Sequence, residues 1–160
     1  MIKVFDLDGT VIDSRHRYKT VTGGGIDLPY WIEHNTAENC HLDTILPCAA
    51  TMRKAYRDGH TILVCTARVL NDHDYVFFME NDLLYTHILS RPEGCIMADS
   101  ELKEIQLRLW AQSEGMTWAQ FCNTAIMYDD ADSIISKMME IGVDCIDAKK
   151  QNRLLKWAAA

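Results

Sequence analysis

Asp6 and Asp8 stand one residue apart at the end of an apolar run, Ile2 to Phe5, and Gly9 follows them. Two carboxylates this close repel each other by about 1 kcal/mol at 4 Å in water, and severalfold more in a drier site. A strand end that keeps such a pair has a cation there, a phosphoryl group to work on, or both. The alternative is an Asp-Gly turn after an edge strand. Three further sets of reactive side chains follow: Thr66-Ala67-Arg68, Lys103, and Asp129-Asp130. Each has a plainer use by itself. Thr66 also reads as a helix cap and Lys103 as a solvated helix lysine. Asp129-Asp130 also reads as a turn, with Asp130, Asp132 or Ser133 capping the next helix. As a set they suit a phosphomonoester. Its negative charge must be neutralised, and a carboxylate nucleophile can approach it only when a divalent cation removes the repulsion.

The elements that must position these groups are legible as hydrophobic segments. Ile2 to Phe5, Thr61 to Cys65, Tyr85 to Leu89, Thr124 to Tyr128 and Asp144 to Ile146 read as strands. Thr61 to Cys65 has the continuous apolar character of a strand buried on both faces. Leu46 to Asp58, residues 72 to 83 with Asn71 or Asp72 as cap, and Ala131 to Ile141 read as helices, the first closed by Gly59 and the last by Gly142. A helix after Ser100 carries Leu102, Ile105 and Leu109 on one predicted face. Lys103 occupies the place of a capping-box Glu. A final segment, Lys149 to Ala159, is expected to pack Leu154, Leu155 and Trp157. Strands alternating with helices predict a three-layer, doubly wound parallel α/β sheet. Ligands in such sheets sit beyond the carboxyl ends of the strands, and the four reactive sets converge on that rim.

A length of 160 residues predicts one domain. Apolar content of 48% with 24% charged residues is that of a soluble globular chain. No stretch approaches the roughly 18 to 20 apolar residues of a membrane span, and the first strand begins too early for a signal peptide. Six scattered cysteines form no Cys-x-x-Cys pair, which argues against zinc or a disulfide framework and for reduced thiols in a cytoplasmic protein. The six histidines show no metal-ligand spacing. A net charge of −7 argues against a broad nucleic-acid-binding face but not against recognition of a single strand end.

In order and position, Asp6-Leu7-Asp8-Gly9-Thr10, Thr66-Ala67-Arg68, Lys103 and Asp129-Asp130 closely resemble the motifs of the haloacid dehalogenase-like phosphohydrolases. The resemblance implies that Asp6 accepts the phosphoryl group as an aspartyl-phosphate. Asp8 would protonate the leaving oxygen and then activate water. Thr66 would bond a phosphate oxygen, and Lys103 would neutralise phosphate and nucleophile. Asp6, Asp8 through its backbone carbonyl, Asp129 and Asp130 would hold Mg²⁺. Gly9, Thr10, Ala67 and Arg68 would meet the substrate phosphate.

The interval from Arg68 to Lys103 is too short for a cap domain. Residues 11 to 45, with Gly23-Gly24-Gly25 and Pro29-Tyr30-Trp31, suggest an ordered flap over an open site. Within the superfamily the chain resembles the 3′-phosphatase domain of polynucleotide kinase-phosphatases. The resemblance rests on the missing cap, Thr66-Ala67-Arg68, Leu102-Lys103-Glu104-Ile105, Asp129-Asp130 and Met138 to Cys145. No kinase phosphate loop is present. Arg15, His16, Arg17 and Lys19 form a basic cluster placed either for a nucleic-acid backbone or as a solvated loop. The expected substrate is therefore a 3′-phosphorylated nucleic-acid end. A nucleotidase or small-metabolite phosphatase is the rival on the same fold, and a non-catalytic phosphate- or protein-binding module is the reading from another class. Oligomeric state leaves no mark on the sequence.

Overall fold

The apolar run after Met1 forms β1 (Ile2–Phe5), and the chain continues through β2 (Ile12–Asp13), a 3-10 turn (Arg15–Arg17), α1 (Leu28–His34), α2 (Ala37–His41) and β3 (Thr44–Ile45). Next come α3 (Cys48–Arg57), β4 (Thr61–Cys65), α4 (Asp72–Glu80), β5 (His87–Leu89) and α5 (Asp99–Ser113). The last elements are α6 (Trp118–Thr124), β6 (Ala125–Asp129), α7 (Asp132–Glu140), β7 (Asp144–Asp147) and α8 (Ala148–Ala158). The structure is a computed structural model describing residues 1–22 and 26–160. The Gly23-Gly24-Gly25 run of the expected flap lies outside the described residues.

Five parallel strands form one sheet in the order β5-β4-β1-β6-β7. The chain winds from β1 towards β5, then crosses to β6 and β7 on the other flank, so the order reverses beside β1. Asp6 and Asp8 leave the sheet at that switch point, where adjacent loops part and a crevice opens. Alternation along the strands sends residues to two cores. Phe5, Ile62, Val64 and Tyr128 pack with Met52, Phe77 and Phe78 of α3 and α4. Val4, Leu63, Cys65 and Met127 pack with Leu107, Trp110, Phe121 and Met138 of α5, α6 and α7. Phe5 and Tyr128 stack with ring centroids 4.5 Å apart across the β1–β6 pair, fixing the register that places Asp6 level with Asp129. No helix among the described residues is long and apolar enough to cross a membrane.

Several local expectations need correction. The buried face of α5 carries Leu102, Lys103, Leu107, Trp110 and Ala111, while Ile105 and Leu109 are exposed. The helix is rotated by about one residue because Lys103 turns inward to meet carboxylates. Ser100 lies inside α5 and caps nothing; the helix starts at Asp99, which pairs with Arg91 at 2.6 Å. On α8, Leu155 packs on the core, whereas Leu154 and Trp157 are exposed. The strand expected from Tyr85 is shortened to His87–Leu89, although Thr86 still exchanges bonds with Ile62. The helix α6 was not anticipated; Thr117 and Gln120 form its capping box.

Residues 11–45 are more structured than a simple flap. The segment leaves and re-enters through the antiparallel pair β2–β3 and carries α1 and α2 between them. Asp27 and Thr36 cap these helices by accepting the N–H groups of Tyr30 and Asn39. Helix α2 packs against α4, so the segment is anchored beside the loop that follows β4.

Candidate active site

Lys103 is fully buried, and its ammonium lies 2.7 Å from Asp6 Oδ1 and 2.7 Å from Asp129 Oδ2. Parallel pairing of β1 with β6 brings the two carboxylates to one level, and α5 delivers the ammonium between them. Asp129 Oδ1 accepts the Ala131 N–H at 2.9 Å, which orients that side chain at the start of α7. Oxygens of Asp6, Asp129 and Asp130 lie within 4.8 Å of one another. Three carboxylates therefore face one ammonium, leaving an excess of two negative charges.

That excess shows in the acidities. Burial raises the Asp6 carboxyl well above its usual range; Lys103 opposes the rise, while Asp129 and Asp8 add to it. Burial and the neighbouring Asp129 charge push Asp130 up to about 6. Burial disfavours the Lys103 charge, but Asp6 and Asp129 outweigh it and keep the amine protonated. Hard carboxylate oxygens with unneutralised charge are the donor set that Mg²⁺ takes. The residues present fit the ion.

Gly9 makes the close approach of the acidic loop possible. Its φ is +76°, and a Cβ there would stand 2.3 Å from Asp130 Oδ2. The loop is tied to itself by N–H groups of Thr10, Val11 and Ile12 donating to the Leu7 carbonyl. Thr10, expected to meet the substrate, is fully buried, with its hydroxyl unpartnered among the described residues. Its carbonyl accepts Asn152 Nδ2 at 3.0 Å. Its side chain packs in the scaffold beneath the acidic loop. Thr66 Oγ1 accepts the Arg68 N–H at 3.1 Å, so the hydroxyl proton remains available to a phosphate oxygen. The Ala67 carbonyl accepts Arg91 Nε at 2.8 Å, and Arg91 also bonds the carbonyls of Cys95 and Met97. The loop after β4 is thereby tied to the start of α5.

Asp8 is expected to face a metal through its backbone carbonyl, and its carboxylate, lying outside the Asp6–Asp129–Asp130 set, is free for other duty. It is held by the Arg68 guanidinium and the Ser14 hydroxyl. Burial acts to raise its pKa, yet the Arg68 charge and the bonds from Arg68 and Ser14 prevail and hold it below its ordinary value. Ser14 is a partner of Asp8 that the motifs do not mark.

The expected substrate arginines are also placed differently. Arg68 is buried with Nη1 2.7 Å from Asp74 Oδ1, so its guanidinium faces carboxylates of the chain rather than open space. Arg17 is fully buried: it pairs with Asp43 at 2.9 and 2.6 Å and donates to Asn35 at 2.7 Å. The 3-10 turn points it inward, away from any nucleic-acid backbone. Arg15 is exposed and paired with Asp13 at 2.5 Å. His16 Nε2 donates to the Asn39 carbonyl, and Lys19 lies 4.1 Å over the Tyr30 ring. Asp43, Asp74 and Trp31 complete a site-adjacent network that sequence reading missed. Cys40, His73 and Asp74 also come within 4.8 Å, but guanidinium nitrogens at 2.7 and 3.6 Å from Asp74 Oδ1 already supply its counter-charge and repel a cation.

A family model described as Bacteriophage T5 5′-deoxynucleotidase matches residues 1–160. The 5′-deoxynucleotidase of Escherichia phage T5 is 34% identical over 86 residues, covering 51% of this chain and 35% of that protein. The chain thus spans about a third of the length of the curated relative it matches. Among solved structures, a haloacid dehalogenase-like family hydrolase from Streptococcus pneumoniae superposes with a TM-score of 0.65. It is 11% identical, with 90% of this chain and 82% of that chain covered. A chain of the Pnkp1/Rnl/Hen1 RNA repair complex gives a TM-score of 0.64 at 18% identity, covering 91% of this chain and 41% of that chain. These likenesses show a haloacid dehalogenase-like fold.

Proposed function

The chain belongs to the Bacteriophage T5 5′-deoxynucleotidase family, and from that membership we propose a Mg²⁺-dependent phosphomonoesterase that releases phosphate from deoxynucleoside 5′-monophosphates. The observation that carries this reading is the bridge of Lys103 between Asp6 and Asp129, with Asp130 close enough to complete a cation site. Asp6, Asp129 and Asp130 would hold Mg²⁺, which when bound offsets the charge between carboxylate and phosphate and orients both.

An Asp6 oxygen attacks phosphorus, and the bond from phosphorus to the nucleoside oxygen breaks. Lys103 neutralises charge on nucleophile and phosphate, and the Thr66 hydroxyl donates to a phosphate oxygen. Asp8 gives the departing oxygen a proton and later takes one from the water that attacks the phosphoryl group on Asp6. That second step releases phosphate and restores the Asp6 carboxylate. The lowered pKa of Asp8 favours the second duty; for the first, Asp8 takes up the proton carried by the substrate monoanion and passes it to the departing oxygen.

A nucleic-acid 3′-phosphate end, as expected from the sequence, would undergo the same chemistry. The buried ion pairs of Arg17 and Arg68 favour the mononucleotide, because they withdraw two of the cations that would follow a polymer backbone. The test is hydrolysis of 5′- and 3′-deoxynucleotides, 5′-ribonucleotides and a 3′-phosphorylated oligonucleotide with Mg²⁺ or EDTA. Mg²⁺-dependent turnover with preference for 5′-deoxynucleotides is expected. A preference for the oligonucleotide that weakens with salt would replace this reading with the polynucleotide one.

A further inference from the structure

Arg68 reaches Asp8 from the loop after β4, and a guanidinium on a long stem is placed only as well as its other contacts place it. Those contacts end on Asp74. Asp74 Oδ1 receives Arg68 Nη1 at 2.7 Å, while Oδ2 accepts the Asn71 N–H at 2.9 Å and closes the capping box of α4. One carboxylate therefore joins the start of a helix to the guanidinium. Arg17 Nη2 stands 3.6 Å from the same Oδ1, and Arg17 is itself held by Asp43. The Trp31 ring lies against both cations, 4.8 Å from the Arg17 guanidinium carbon and 5.4 Å from that of Arg68. Arg17, Asp43 and Asp74 are all buried. Burying so many charges has no net benefit for stability over apolar packing, whereas it holds the Arg68 guanidinium between Asp8 and Asp74.

We propose that Asp74 and Trp31 are positioning residues for the reaction: they fix Arg68, and through Arg68 they hold the Asp8 carboxylate where the leaving oxygen will be. Neither touches the substrate. This rests on the reading of Asp8 as proton donor, and it makes the 11–45 segment, which supplies Trp31, Arg17 and Asp43, part of the catalytic alignment.

A general acid matters in proportion to the basicity of the leaving atom. The experiment compares a 5′-deoxynucleotide with its analogue carrying bridging sulfur at the 5′ position, whose thiolate departs without needing a proton. Release of the nucleoside is followed in the first turnover, with enzyme in excess and Mg²⁺ present. Asp74→Asn should slow the oxygen substrate by roughly tenfold or more while changing the sulfur substrate by about twofold at most. Asp8→Asn should show the same split, larger. If Asp74→Asn does not fold, Trp31→Leu, which leaves every charge in place, should show a smaller split in the same sense. Equal losses on both substrates in the folded variant would reduce these residues to scaffold and overturn the proposal. An absent split in Asp8→Asn would instead overturn the proton-donor reading beneath it.

Discussion

Two ionic clusters meet at the loop after β1, and they are built from the same residue types to opposite effect. On one side Asp6, Asp129 and Asp130 face Lys103 alone, two negative charges in excess. On the other, Asp8, Asp43 and Asp74 face Arg17 and Arg68, only one charge short of balance, with Ser14 and Asn35 satisfying further groups. The second cluster is closed by the chain's own atoms. The first is left with negative charge that the chain's own cations do not offset. Carboxylates are thus not informative by number; the imbalance is what supports the proposed place of a cation and a phosphate.

The largest effect should come from the unbalanced side. Asp6→Asn should lower deoxynucleotide turnover by at least about a thousandfold, read as phosphate release, while Mg²⁺ binding by calorimetry becomes weaker and stays detectable. Near-normal turnover would remove Asp6 as nucleophile. On the balanced side, Arg17→Met leaves Asp43 buried without its partner and should cost about 3–5 kcal/mol of folding stability in urea denaturation. A change below about 1 kcal/mol would mean the cluster is solvated and the contrast is false. Gly9→Ala places a methyl group against Asp130 at a positive φ. It should weaken Mg²⁺ binding roughly tenfold, with the arginine cluster and its stability contribution undisturbed. The exposed Lys54–Asp58 pair, at 2.5 Å, supplies the baseline: Lys54→Ala should leave the unfolding midpoint and the activity where they are.

The contrast also explains what the sequence could disclose. Strands β1 and β4 have the bounds their apolar runs suggest, because central parallel strands are covered on both faces and are built mostly of apolar residues, Lys3 and Thr61 lying towards their starts. Asp6, Lys103, Asp129 and Asp130 were recognisable because each sits at the end of an element in a known order, and the fold gathers element ends. The arginine cluster had no such signal. Its members come from a loop, a 3-10 turn, a strand flank and a helix cap, and charged residues in those places ordinarily face solvent. From the sequence Arg17 reads as outward for that reason. The rotation of α5 was equally hidden: Ile105 and Leu109 look like core residues until Lys103 claims the inward face. By contrast, α6 was legible in Thr117 and Gln120, and α1 in Asp27 followed by Pro29, cap signals that are easy to overlook before helices of only seven residues.

The most direct test is to mix the protein with a 5′-deoxynucleotide and Mg²⁺, quench in acid during turnover, and weigh the N-terminal peptide. A phosphoryl group on Asp6 that vanishes with EDTA and in Asp6→Asn is the expected result. Full hydrolysis with that peptide never carrying phosphate, or carrying it without a divalent cation, would contradict the account.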